Sequence, residues 1–236
     1  MKLAFIVDPL DEFKIYKDTT YVIMREAARR GHELYSLHQG DLAWTKSGVT
    51  GNASRLHMTG EETDAWYLLE PPSERPLTAY DAVLMLGPLY HLPDRADRVR
   101  ALSEARRVVK PGGPVIIALI SRFASLLDGL RSGTLSDPSV RPYIQRVLET
   151  GVNANPGKRP EYFTTAYFHH PDEIEGECED AGLRCETVLG IEGLGWLTWE
   201  KWDDPEGREN ILRVARALED EPTVKGASTH LLAVAR

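Results

Sequence analysis

Leu86-Gly87-Pro88-Leu89-Tyr90-His91 follows a short apolar run beginning at Asp81. In open α/β sheets, ligands bind where strands end at their carboxyl edge. Tyr90 could orient an acceptor there, and His91 could take a proton from it near neutral pH. His91 could equally cap or pack over the next helix. Arg122, just beyond the run Val115 to Ile120, suits a carboxylate or phosphate, or stands as a surface charge near a helix start. Tyr167 and His169 belong to an aromatic stretch from Phe163 that either lines an acceptor pocket or fills the core. Trp196, Trp199 and Trp202 are spaced by three, one stripe on a helix, suited to packing a lid or, through Trp196, to lining that pocket.

Other chemistries lack their patterns. His169 and His170 are adjacent and would point apart on a strand, and the chain has no helical His-x-x-x-His pair, so no metal is expected. No Ser-His-Asp or Cys-His arrangement stands out. The run Glu173 to Asp180 reads as the solvated face of a helix. Cys178 and Cys185 are too few for a disulfide framework or a thiolate zinc site and are expected as buried free thiols on a helix and its following strand. A net charge of -8 argues against nucleic acid and anionic membrane as partners. Leu3 to Val7 stops at Asp8, short of a secretory signal, and Val115 to Ile120 is too short to span a bilayer. A cytoplasmic location is expected.

These residues need elements to hold them. Leu3 to Val7 predicts a strand buried on both faces. Asp18 caps a helix through Arg30, with Gly31 to end it, and Glu33 to Leu37 completes a parallel β-α-β unit. Leu42 to Met58 predicts a hairpin turning at Lys46-Ser47-Gly48. Asp81 to Leu86 predicts a strand, about Asp94 to Val109 a helix stopped by Pro111-Gly112-Gly113, and Val115 to Ile120 a strand. Helices follow from Asp137-Pro138 through Leu148 and from Pro171 to Ala181. Leu183 to Ile191 predicts a strand, Pro205 to Leu218 a helix, and His230 to Ala235 a closing strand. Alternation of this kind predicts the α/β class: one Rossmann-like domain over 1–236, with a doubly wound, mostly parallel sheet, helices on both faces and an antiparallel C-terminal strand.

The first part resembles the N-terminal domain of prokaryotic glutathione synthetase over 1–85. The resemblance rests on Lys2 to Leu10, Lys17-Asp18-Thr19-Thr20, Arg25 to Glu33, Gly40-Asp41-Leu42, Pro76-Leu77 and Asp81 to Met85. That family continues into a large ATP-grasp region, which this sequence replaces, so ligation is not expected here. Residues 80–236 instead resemble the C-terminal part of a class I S-adenosylmethionine (SAM) dependent methyltransferase. The motifs are Tyr80 to Leu92, Glu104 to Gly113, Phe163 to Phe168, Gly190 to Trp196 and His230 to Arg236. The two likenesses meet at Tyr80 to Met85, a strand that both would pack against strand 1.

The second resemblance implies a SAM-dependent methyltransferase-like protein acting on a small-molecule acceptor. Leu86, Gly87 and Pro88 would pass the methionine end of SAM, with Tyr90, His91 and Arg122 at the acceptor and Tyr167, His169 and Trp196 around it. The resemblance also implies a glycine-rich turn after strand 1 and an acidic residue after strand 2. Here Asp8-Pro9-Leu10-Asp11-Glu12-Phe13 has no glycine, and Asp41 is a late substitute. The competing readings are a non-catalytic Rossmann-like chimera and a glutathione synthetase-related fragment that binds or dimerises.

Overall fold

The computed structural model describes all residues except 17, 47, 64 and 156–162; Lys17 and the Ser47 of the expected turn lie outside the described residues. The chain divides into two compact units. The first comprises Met1–Val83 with Arg107–Pro114, and the second Leu84–Arg106 with Val115–Arg236. The division after Val83 falls within the segment where the two resemblances meet.

The first unit opens with strand β1 (Lys2–Ile6), helix α1 (Thr19–Arg29) and strand β2 (Glu33–Leu37). β1 and β2 pair in parallel, Leu3 opposite Leu34 and Phe5 opposite Ser36. β1 is not buried on both faces: Leu3 and Phe5 point into the core while Ile6 is exposed, the alternation of a strand covered on one side. The Asp18 carboxylate accepts the Tyr21 amide at 3.0 Å and caps α1. Tyr21, Met24 and Ala27 form the buried face of that helix. Trp66, 2% exposed, closes this core, stacked on Phe13 at 5.8 Å and edge-on to Tyr21 at 5.2 Å.

The expected hairpin is β3 (Leu42–Thr45) and β4 (Gly48–Met58). β4 is long enough to pair with β2 and with two short strands absent from the sequence reading, β5 (Tyr67–Leu69) and β6 (Ser73–Pro76), all antiparallel. Beyond them Asp81 exchanges bonds with Lys2: its amide donates to the Lys2 carbonyl at 3.0 Å, and its carboxylate accepts the Lys2 amide at 2.6 Å. Lys110 pairs with the same carboxylate. Strand β7 (Val83–Met85) then joins a different sheet, so only the start of the shared segment lies against β1.

Helix α2 (Arg95–Val108), whose residues up to Arg106 belong to the second unit, precedes β8 (Val115–Ile120) of that unit. There follow α3 (Ala124–Ser132), α4 (Val140–Thr150), the two-residue strands β9 (Val152–Asn153) and β10 (Ala166–Tyr167), and α5 (Glu173–Asp180). The chain closes with β11 (Cys185–Gly190), α6 (Pro205–Leu218) and β12 (His230–Ala235). The sheet order is β11-β12-β8-β7. β12 is antiparallel to both neighbours, with Leu231 opposite Leu119, Ala233 opposite Ile117 and Ala235 opposite Val115. All six side chains are at most 1% exposed; alanine faces the branched residues at two of these positions and lets covering elements approach closely.

The class is therefore α/β, with parallel and antiparallel pairing and the closing strand antiparallel as expected. The strands divide between two principal sheets where one was expected, and most described ladders are antiparallel because β4 builds its own meander. Both cysteines are free, on a helix and its following strand as expected, but only Cys178 on α5 is buried; Cys185, at the start of β11 opposite Ala235 at the end of β12, is partly exposed. Among the described residues no helix is long and apolar enough to cross a membrane.

Candidate functional site

The second unit gathers most of the sequence candidates at one end of β8. Past β7, Leu86-Gly87-Pro88 leads into a 3-10 turn over Leu89–His91, pinned by the fully buried Leu89. The Tyr90 hydroxyl donates to the Leu86 carbonyl at 3.3 Å. Its ring packs against the cluster of Ile120, Val147, Ala166 and Phe168, and burial pushes the phenol pKa up. His91 is exposed, 4.8 Å from the Tyr90 ring and stacked on Phe163 at 6.2 Å and 19°. Tyr90, His91 and Phe163 form an aromatic wall with one titratable edge open to solvent.

Arg122 faces inward. Its Nε donates to the Phe168 carbonyl at 2.8 Å, and an Nη reaches Glu173 at 2.7 Å and the Tyr167 hydroxyl at 3.1 Å. It is 8% exposed, and the carboxylate it attracts is the chain's own. Gly151 makes this fit possible. It ends α4 at φ +73°, and a Cβ there would sit 2.7 Å from the Arg122 guanidinium and 2.8 Å from the Tyr167 ring.

Tyr167 lies between two cations, with the Arg98 guanidinium 3.6 Å and that of Arg122 5.6 Å from its ring centre; desolvated cation–π contacts are among the stronger of their kind. Arg98, 1% exposed, makes a two-pronged pair with Glu177: Nη2 to Oε1 at 2.7 Å, Nε to Oε1 at 3.0 Å and Nε to Oε2 at 3.2 Å. Its other Nη donates to the Leu92 and Pro93 carbonyls at 2.9 and 2.8 Å. His169, fully buried, donates through Nε2 to Glu177 at 3.3 Å, and its Nδ1 has no partner among the described residues. Burial would raise the Glu177 carboxyl, but bonds from His169 and Arg98 outweigh it and hold it below the ordinary range. Burial also holds His169 below the usual imidazole value, so neutral imidazole satisfies Glu177 without a second cation.

Sequence reasoning missed this network because the run from Glu173 to Asp180 read as a solvated face. Glu175, Glu179 and Asp180 do face solvent, but Glu177 is 2% exposed. The available signal was spacing: Arg98 occupies the first of the core positions 98, 102 and 105 of α2, and Glu177 lies between Ile174 and Cys178 on the buried face of α5.

A second cluster lies where β12 begins, with His230 opposite Ile120. Glu192 accepts from His230 Nδ1, from the His230 amide at 3.0 Å and from the Ser228 hydroxyl at 2.7 Å. Burial opposes the charge on Glu192, yet these bonds bring its pKa down to about 2; the same contact raises that of His230. Ser228 is fully buried and bonds the carboxylate rather than the imidazole ring, so this is a clamp and not a nucleophile relay. Trp196 is tied by its indole N–H to the Ala227 carbonyl at 2.9 Å. Its segment is a 3-10 helix over Gly195–Lys201, broken at Thr198. Trp199 and Trp202 stack at 5.0 Å, as three-residue spacing allows, and Trp196 stands apart from that stack.

Of the residues the methyltransferase resemblance implies for SAM, Leu86, Gly87 and Pro88 lie in the second unit, while the glycine-rich turn and the acidic residue would fall in the first, where the residues present do not fit those two roles. No glycine occurs between Lys2 and Arg30, so the chain after β1 offers no bare backbone for close approach to a ligand. The Asp41 carboxylate accepts the His38 amide at 2.8 Å, capping its own 3-10 turn. His38 Nδ1 in turn bonds the Val7 carbonyl at 3.0 Å, tying the segments after β1 and β2 together.

Residues 1–86 match the family described as prokaryotic glutathione synthetase, N-terminal domain. Glutathione synthetase of Nitrosomonas europaea is 52% identical over 87 residues, 36% of this chain and 27% of that protein. The enzyme of Ralstonia nicotianae is 49% identical over 85 residues, 36% of this chain and 26% of that protein. The chain thus spans about a quarter of the length of these curated relatives. Among solved structures, the CcbJ methyltransferase from Streptomyces caelestis aligns with 66% of this chain and 57% of its own, at 14% identity and a TM-score of 0.36.

Proposed function

We propose that this chain is a methyltransferase-like protein that binds a small molecule at the aromatic wall of its second unit and transfers no methyl group from SAM. The observation that carries this reading is Asp41: the acidic residue after β2 is engaged in capping its own turn, beside a β1 turn with no glycine. The wall of Tyr90, His91 and Phe163 supports the binding half, with Leu86, Gly87 and Pro88 forming the approach to it. Arg122, Tyr167 and His169 serve as its frame, since their polar groups face one another and α5. Trp196 anchors the segment before β12. A cytoplasmic location, without nucleic-acid or membrane partners, belongs to the same proposal and is supported by the net charge of -8 and the free cysteines.

A second reading, an active SAM-dependent methyltransferase, is favoured by the exposed His91 beside the Tyr90 phenol, a place where an acceptor proton could be received. Incubation with methyl-labelled SAM and a panel of small phenols, amines and carboxylic acids separates the two. No label should appear in any product. Label transfer that disappears in His91→Ala would overturn the proposal and establish the active reading.

A further inference from the structure

The aromatic wall uses neither cysteine, yet the fold of the second unit brings the two together. Past α5 the chain reverses at Gly182, where φ is +75°. The Gly182 amide donates to the Glu179 carbonyl at 2.9 Å and the Leu183 amide to the Cys178 carbonyl at 2.8 Å, the pairing that closes a helix at a left-handed residue. The returning segment opens β11 with Cys185, and the Cys178 thiol donates a hydrogen bond to the Cys185 sulfur.

The two sulfurs differ in access and in freedom. Cys178 is 0% exposed, whereas Cys185 is partly open to solvent. The Cys185 thiol also lies 3.7 Å from the Thr187 carbonyl, and the pairing of β11 with β12 shifts register between Cys185 and Thr187. An irregularity of this kind leaves backbone outside the ladder, so Cys185 can adjust toward Cys178 without separating β11 from β12.

We propose that Cys185 and Cys178 form a peroxide-responsive thiol pair, in which Cys185 is oxidised first and Cys178 resolves it to a disulfide. The thiolate is the reactive form of cysteine. The bond given by Cys178 holds the Cys185 thiol below the ordinary range, against burial and Glu175, while the same bond and burial push Cys178 up. The sulfur that solvent reaches is therefore also the one that ionises. The Cys185 thiolate attacks one oxygen of hydrogen peroxide; the O–O bond breaks, and hydroxide leaves and takes up the proton the thiol had released. The Cys178 sulfur then attacks the Cys185 sulfenic acid. The S–O bond breaks as the S–S bond forms, and the departing hydroxide carries off the Cys178 proton as a second water. Two thiols thus give two electrons and two protons to one peroxide. The bridge ties the last turn of α5, one residue past Glu177, to the start of β11, and thiol exchange reverses it.

The test treats the full chain, shown to be native by its cooperative melt, with increasing hydrogen peroxide. Remaining thiols are blocked with iodoacetamide and the protein is digested with trypsin without reduction. Trypsin cuts after Arg184, so the two cysteines fall on separate peptides. Those peptides should be found joined, about 2 Da lighter than their sum, in protein that runs as a monomer on a non-reducing gel, and dithiothreitol should separate them. In Cys178→Ala the Cys185 sulfenic acid should persist and take up about tenfold more dimedone than wild type. In Cys185→Ala, Cys178 should stay reduced at the same dose, because peroxide does not reach it. Folded wild type without the joined peptides, linkage between two chains in place of the internal bridge, or equal oxidation of Cys178 in Cys185→Ala would overturn the proposal.

Discussion

Glu177→Gln tests whether buried charge builds the second unit. In the wild type Arg98 makes three contacts to Glu177 within 3.2 Å, with both side chains 2% exposed. Glutamine retains one oxygen for Arg98 and His169 but places an amide NH2 against guanidinium donors and leaves the Arg98 charge unneutralised. Breaking a buried pair in this way costs about 3–5 kcal/mol, or roughly 6–20 °C in Tm for a domain of this size. The contact of Arg98 with the Tyr167 ring is untouched, so the loss reports the ion pair. Arg98→Met leaves the Glu177 carboxylate buried with only His169 and strips the Leu92 and Pro93 carbonyls of their donor, so it should cost at least as much. Urea denaturation should therefore place both single variants well below wild type, and a Glu177→Gln protein within about 1 kcal/mol of wild type would refute the argument.

Other consequences follow from the same contacts. Asp18→Ala and Asp204→Ala remove carboxylates that accept the Tyr21 amide at 3.0 Å and the Gly207 amide at 2.7 Å; each should lower stability by about 0.5–2 kcal/mol in denaturant melts. Gly151→Ala and Gly31→Ala both force alanine into left-handed backbone, at φ +73° and +75°, at a cost of about 1–2 kcal/mol. Gly151→Ala should cost clearly more, because its Cβ meets Arg122 and Tyr167 while that of Gly31 meets nothing within 4 Å; equal losses would count against the packing described. The raised pKa of His230 makes its stabilisation fully present below the unfolded value of 6.5 and lost as pH rises through the folded value. Glu192, at about 2, stays ionised throughout that window. The stability advantage of wild type over His230→Gln should thus be larger at about pH 5.5 than at about pH 9, and a gap that grows with pH would contradict the clamp.

The fold was most legible where local chemistry agreed with tertiary demand. The strands Glu33–Leu37, Val115–Ile120 and His230–Ala235 and the helix Pro205–Leu218 have the bounds read from their apolar runs and caps. β5 and β6 were not, because short edge strands flanked by prolines carry little periodicity and form only because β4 offers them a partner. α3 escaped because Phe123 provides no side-chain cap to mark its start. At the candidate site, Tyr90 and His91 stand at a strand end as their positions suggested. Arg122 was recognisable as a carboxylate binder, but its partner is Glu173, 51 residues away, a distance no local pattern spans. Glu177 was hidden by its neighbours: one buried carboxylate within an acidic run has no signature until Arg98 is known to face it.

The account turns on whether the first unit supplies a SAM site. Isothermal titration of the folded chain with S-adenosylhomocysteine tests this directly, run on protein whose cooperative melt establishes that it is native. No detectable heat is expected, since Asp41 caps its own turn and the β1 turn lacks glycine. Saturable micromolar binding would contradict the account and make the search for a methyl acceptor the next step.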